Sequence, residues 1–223
     1  QHPSIALWCG NNENSEGWHR WGWKDDKTEI QQQEIWNGYY AVFNYILPQV
    51  VDSLHPSVSY WESSPKFGRG DKRYKFEGDA HDWGVWHDGY PFEHFEKEVP
   101  RFMSEFGFQS FPSYETIQYF TEQNNIDLNH PSFANHQKHS RGFSLIKEYM
   151  GRDFPIPING ADYVYMSQIL QAHGITKGIY AHRRAKPYNM GTLYWQLNDC
   201  WPAVSWSSMD GLGNRKALQY LAK

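Results

Sequence analysis

Ile5-Ala6-Leu7-Trp8-Cys9-Gly10-Asn11-Asn12-Glu13-Asn14 is an apolar run that stops at a glycine and an asparagine pair, then presents one carboxylate. Five apolar residues bounded by such turn formers read as a buried strand, with Glu13 at its C-terminal end. The form recurs in Arg101-Phe102-Met103-Ser104-Glu105-Phe106, a second apolar strand that Gly107 closes and that also carries a lone glutamate. Between them, residues 28–51 have helical spacing. Ile35, Tyr39, Val42, Phe43 and Ile46 fall on one face, and Pro48 is expected to kink or end the helix. Residues 58–61 are strand-like, 66–79 read as a charged, glycine-bearing loop, 81–86 as an aromatic strand and 92–99 as a short helix. Beyond Gly107 the chain is mostly helix and loop. Its surest helix runs over 162–173 with Asp162 as N-cap, followed by a last strand at 191–197 and a last helix at 215–222.

Strand and helix thus alternate four times, a pattern of parallel strands joined by crossover helices. A complete (β/α)8 TIM barrel holds eight such units in about 250 residues. The expected fold class is therefore α/β, with the chain supplying roughly strands 4–8 of a barrel and their helices. The whole of 1–223 reads as a partial catalytic domain, from strand 4 to helix 8, with the N-terminal barrel strands and any accessory β-domains absent.

Composition narrows the function. The net charge of −4 comes without a basic run, which argues against nucleic acid as a partner. No apolar stretch approaches 20 residues, so nothing here reads as a bilayer span or a membrane partner. Eleven Trp, fifteen Tyr and thirteen Phe make 17% of the chain aromatic. That excess serves either a large aromatic core or a site where indole faces pack on sugar rings. Two cysteines, Cys9 and Cys200, make no disulfide framework. His81 and His87 could begin a metal site, but no third ligand lies at a workable spacing; neither metal nor cofactor is expected.

Taken singly, each glutamate has a plain alternative. Glu13 reads equally as an exposed loop carboxylate, and Glu105 as a structural glutamate paired with Arg101. Together they say more. Glycoside hydrolysis needs two carboxyl groups across one bond, and barrel enzymes place catalytic residues at the C-terminal strand ends. Counted as the last strands of a barrel, Glu13 closes strand four and Glu105 strand seven, which can face each other.

His2-Pro3-Ser4-Ile5-Ala6-Leu7-Trp8-Cys9-Gly10-Asn11-Asn12-Glu13-Asn14 resembles the acid/base segment of family 2 glycoside hydrolases, in the form used by β-mannosidases. His81-Asp82-Trp83-Gly84-Val85-Trp86-His87 and Pro100-Arg101-Phe102-Met103-Ser104-Glu105-Phe106-Gly107-Phe108-Gln109-Ser110-Phe111-Pro112 resemble the bacterial β-mannosidase segments at strands six and seven. Gly191-Thr192-Leu193-Tyr194-Trp195-Gln196-Leu197-Asn198-Asp199-Cys200-Trp201-Pro202 resembles strand eight. The resemblance covers nearly the whole chain.

It implies a retaining exo-glycosidase that removes terminal β-D-mannose by double displacement, with Glu13 as acid/base and Glu105 as nucleophile. Asn12 would contact the sugar O2, Trp195 would floor the pocket, and Trp21, Asp82 and Trp83 would shape it around the axial O2. Tyr90 would hydrogen-bond Glu105. Of Trp83 and Trp86, three positions apart on one strand, only one can face the sugar, and Trp195 and Trp201 also read as ordinary packing. Cys9 and Cys200, after strands on opposite sides of a barrel, are expected to stay unpaired. The expected partners are a β-mannoside oligosaccharide and the remainder of the barrel with its accessory domains. Without those, the isolated 223 residues are expected to be inactive. Other family 2 exo-glycosidases (exo-β-glucosaminidase, β-galactosidase) and a non-catalytic carbohydrate-binding protein remain alternatives. The compartment stays open between periplasmic or secreted and cytoplasmic.

Overall fold

The computed structural model describes residues 3–223, a mixed α/β chain that divides into two compact units. The first runs up to His81 and adds Pro100–Ser104; the second is Asp82–Val99 with Glu105–Lys223.

In the first unit, β1 (Leu7–Asn12) and β2 (Ser59–Ser64) pair in parallel, Leu7 opposite Ser59 and Asn12 opposite Ser64. Parallel neighbours need a long crossover, here α1 (Asn14–Arg20), α2 (Glu29–Tyr40) and α3 (Leu47–Leu54). Thr28 caps α2 in a capping box with Gln31. Pro48 neither ends nor breaks the path. A π-helical stretch, Ala41–Ile46, precedes it, and Pro48 falls in the first turn of α3, where its missing N–H costs little. The apolar stripe has the helical backbone its spacing predicts. None of Ile35, Tyr39, Val42, Phe43 and Ile46 is buried, because a two-stranded sheet is too narrow to cover it. Tyr39 and Phe43 are the partly covered members. Tyr39 stacks on Trp36 at 4.6 Å, and the Phe43 carbonyl accepts from Tyr60 OH at 2.6 Å.

β3 (Ala80–Asp82) pairs with β4 (Met103–Phe106), Ala80 N donating to Phe102 O at 2.9 Å. The expected aromatic strand at 81–86 is thus only three residues long. Asp82 Oδ1 accepts from Gly84 N at 2.9 Å and starts a helical turn, α4 (Gly84–His87), that carries Trp86 inward. A loop, not a helix, joins β2 to β3, so strand and helix do not alternate strictly.

The second unit holds the aromatic core. α5 (His94–Lys97), α6 (Tyr114–Thr121), α7 (Gly142–Asp153), α8 (Gly160–Arg184) and α9 (Ala217–Leu221) surround fully buried Trp86, Phe95, Phe106, Phe108 and Tyr149. Trp86 is therefore the core member of its pair. Gly174 and Gly178, on one face of α8, leave the groove that seats Phe92, Phe95 and Phe106; a Cβ on Gly174 would stand 2.1 Å from the Phe92 ring. Asn159, not Asp162, caps α8, because Asn159 Oδ1 accepts from Asp162 N at 2.8 Å and places Asp162 inside the first turn. The helix also runs eleven residues beyond His173. The segment 191–197 forms no strand among the described residues. Trp195 N donates to Phe106 O at 2.8 Å and Gln196 N to Trp206 O at 3.2 Å, so successive amides go to different partners and no ladder repeats. Cys9 and Cys200 are both free thiols, and no helix among the described residues is long and apolar enough to cross a membrane.

One buried cation gives this unit a pH dependence. Lys216 is fully enclosed, its Nζ donating to Ser205 O at 3.2 Å and Ser110 O at 3.5 Å. Burial pushes the ammonium down to about 8 from 10.5, while Asp199 and Asp210 oppose the shift. Between pH 8 and 10.5 the unfolded chain keeps a proton that the folded unit has released, so stability rises with pH across that window. The contribution approaches about 3 kcal/mol. Urea denaturation at several pH values should show this rise in the wild type and not in Lys216→Met.

Candidate active site

Glu13 directly follows β1. Its amide donates to Ser64 O at 2.8 Å, which extends the β1–β2 register by one bond. Its backbone then turns left-handed (φ 59°, ψ 6°) and α1 begins at Asn14. A residue with a Cβ pays about 1–2 kcal/mol for that conformation, so the junction is held from outside. Asn11 does the holding: Oδ1 accepts from Asn14 N at 3.1 Å and Ser63 Oγ at 2.9 Å, and Nδ2 donates to Glu62 O at 2.7 Å. The strained turn carries the Glu13 side chain off the strand axis. Its Oε1 lies 2.7 Å from Nδ1 of buried His81. Behind the imidazole, Nε2 lies 3.0 Å from Ser64 Oγ, and Ser64 Oγ donates to Asp79 Oδ2 at 2.5 Å. Ser104 Oγ also donates to Asp79 Oδ2 at 2.7 Å, and Lys66 N to Oδ1 at 2.9 Å. One turn along, burial pushes the Glu16 carboxyl up and the Glu13 charge adds to this, with Arg20 opposing. Asn12 is exposed beside Glu13. Trp21 caps the end of α1, half-exposed, its ring edge-on to Trp23 at 5.7 Å.

In the second unit Glu105 is 7% exposed near the end of β4, and Trp83 Nε1 donates to its Oε1 at 2.9 Å. Trp83 is thus the member of the Trp83/Trp86 pair turned to the carboxylate. Its ring packs edge-on to Trp206 at 6.0 Å and lies across Gly107, where a Cβ would come within 2.9 Å of the indole and 2.5 Å of Trp195 O. Any side chain at 107 would push both tryptophans away from β4. Trp195 is itself 42% exposed. Asp82 is nearly buried with both oxygens engaged, Oδ1 by Gly84 N and Oδ2 by His94 Nε2 at 2.8 Å. Tyr90, expected to hydrogen-bond Glu105, lies over Gly84 and packs on His94 at 4.9 Å; the donor seen on Glu105 Oε1 is Trp83. Trp201 stacks on His136 at 4.4 Å, the packing alternative.

The structure therefore gathers Asp82, Trp83, Tyr90 and Trp195 in the unit of Glu105, and Asn12 and Trp21 in that of Glu13. Sequence reading missed the roles of Ser64, Asp79 and His81 around Glu13. His81 stood out only as half of a histidine pair, and nothing in the spacing of 13, 64, 79 and 81 joins them.

Glu13 and Glu105 thus each stand at a strand end of this α/β chain, in contact with a ring nitrogen. Beta-mannosidase B of Aspergillus clavatus is 35% identical over 94% of this chain, and that of Aspergillus niger 31% over 98%. The crystal structure of the β-D-mannosidase from Dictyoglomus thermophilum superposes on 99% of the chain with a TM-score of 0.86 and 36% identity. The exo-chitosanase CsxA of Amycolatopsis orientalis matches 99% with a TM-score of 0.56 and 14% identity, a likeness of fold alone. No family profile matches the chain. The chain is a homologue of the β-mannosidases, and it spans about a quarter of their length (26% of the Aspergillus clavatus and Dictyoglomus thermophilum proteins).

Proposed function

We propose that this chain forms strands 4–8 and the associated helices of a (β/α)8 barrel in a retaining exo-β-mannosidase. The observation that carries the reading is the 36% identical match, over 99% of the chain, to the β-D-mannosidase of Dictyoglomus thermophilum. Glu105 attacks the anomeric carbon while Glu13 gives its proton to the leaving oxygen. Glu13 then takes a proton from water, whose oxygen displaces Glu105 and restores the β configuration. That chemistry requires the two carboxyl groups about 5–5.5 Å apart. Trp195 serves as the sugar platform, Asn12 holds O2, and Trp21 with Trp83 bounds the pocket. Asp82 and Tyr90 support it, and the Asp82 carboxylate does so through His94 and the α4 turn.

A panel of p-nitrophenyl glycosides tests this on the full-length protein. The β-mannoside should be cleaved fastest. Faster cleavage of the β-glucosaminide or β-galactoside would move the assignment within the class, and binding without cleavage would make the protein a lectin-like binder. The isolated 223 residues, lacking the strands that close the barrel, should cleave none of them.

A further inference from the structure

We propose that His81 is a positioning residue for Glu13, its ring held through Nε2–H by Ser64 and Asp79, so that Glu13 exchanges protons with substrate through Oε2. The inference rests on the reading of Glu13 as acid/base. Asp79 Oδ2 accepts from both Ser64 Oγ and Ser104 Oγ, at 2.5 and 2.7 Å. A serine hydroxyl has one hydrogen, and that of Ser64 goes to Asp79. Ser64 Oγ then has only lone pairs for His81 Nε2, 3.0 Å away, so Nε2 carries the hydrogen of that contact. Nδ1 is left to face Glu13 Oε1 at 2.7 Å.

An imidazolium suits both halves of the reaction: Nδ1–H donates to Oε1 when Glu13 is the acid and when it is the carboxylate, so the single hydrogen of the acid stands on Oε2. Nε2–H stays in place throughout. Glu13 gives one proton to the leaving oxygen in the first step and takes one from water in the second, so the count is restored each turnover. Occupied by His81, Oε1 is withdrawn from that exchange. Ser64 ties the arrangement twice, because its carbonyl accepts the Glu13 amide while its hydroxyl meets the imidazole. A ring 3% exposed has little freedom to leave. Within this unit the titratable groups facing His81 are Glu13 from the end of β1, Asp79 ahead of β3 at 4.0 Å from Nε2, and Glu16 from α1. The Tyr74 hydroxyl donates to the His81 carbonyl at 2.9 Å.

The test compares His81→Asn, Ser64→Ala and Glu13→Ala in the full-length protein, on mannobiose and on 2,4-dinitrophenyl β-mannoside. Losing a hydrogen bond to a charged group costs about ten- to a hundredfold. His81→Asn should lower kcat/KM on mannobiose by that factor and nearly spare the dinitrophenyl substrate, whose leaving group needs no proton. It should also move the alkaline limb of the kcat/KM profile, which reports the acid of the free enzyme. Ser64→Ala, which keeps the backbone bond to Glu13, should do both to a smaller extent and stands in should His81→Asn not fold. Equal losses on the two substrates with an unmoved limb would mean packing alone and overturn the inference. The Glu13→Ala control separates the failures. If it discriminates between the substrates and the other variants do not, only the role of His81 falls; if it does not discriminate, the acid/base reading falls and this inference with it.

Discussion

Glu105→Ala should abolish turnover of every β-mannoside, activated or not. A covalent mechanism without its nucleophile loses on the order of 10⁴-fold or more, since other groups of the site contribute little without it. Glu105 is nearly buried, and the Trp83 indole that donates to it is packed on Trp206 and Gly107, so truncation should leave that ring in place beside a small cavity that can admit water or an anion. Azide is therefore the decisive addition. Entering the vacated site, it would attack the face that Glu105 attacks and yield an α-mannosyl azide of inverted configuration. Recovery of the β-azide instead would mean that the nucleophile is intact and that the two glutamate roles are reversed.

Glu13→Ala should discriminate between substrates. General acid catalysis contributes about 10²–10⁴-fold, and that factor should be lost on mannobiose or alkyl mannosides. A dinitrophenyl leaving group departs unprotonated, so formation of the glycosyl-enzyme survives and its hydrolysis becomes the slow step. A burst of dinitrophenol followed by a slow steady state is the expected trace. Azide should accelerate that steady state and give the retained β-azide. The steady-state rate should also lose its dependence on the ionisation of a general base. Equal losses on both kinds of substrate would remove Glu13 from the acid/base role. The opposite azide stereochemistry of the two variants makes this pair of experiments internally checking.

Where the sequence reads well, the controlling forces are local. β2 and β4 stand close to their expected places because strand-forming runs end before Pro65 and Gly107, and such breakers act within a few residues. β1 instead runs on through Gly10, Asn11 and Asn12 to the left-handed Glu13, and none of its residues is buried, contrary to the expected buried strand. Where it reads badly, a short-range competitor or a distant partner wins. The stretch after Asp82 has strand-like aromatic content, yet the Asp82 carboxylate captures the Gly84 amide and turns the chain into a helix. The segment around Trp195 has strand propensity, but its amides find two different partners, Phe106 and Trp206. The apolar stripe of α2 and the π-helical stretch after it has the right spacing for burial, which spacing alone cannot supply; that requires a facing surface wider than two strands.

The candidate site divides along the same line. Glu13 and Glu105 were legible as lone carboxylates at apolar strand ends, a placement that the chain's own pattern of apolar residues and breakers determines. Trp195 came only from the family resemblance, since the strand expected at 191–197 does not form among the described residues. Which indole meets Glu105 was decided by tertiary structure, because the α4 turn sends Trp86 into the core and leaves Trp83 Nε1 on the carboxylate. The partner of Glu13 was decided the same way. Residues 64, 79 and 81 carry no shared sequence signal; the parallel register of β1 on β2 brings Ser64 to the Glu13 backbone, and the entry to β3 brings Asp79 and His81 behind it. Hydrophobic patterning acts between near neighbours along the chain and so can be read from it. A hydrogen-bonded relay depends on angles and sub-ångström distances between segments far apart in sequence, and these exist only once the backbone pairing is in place.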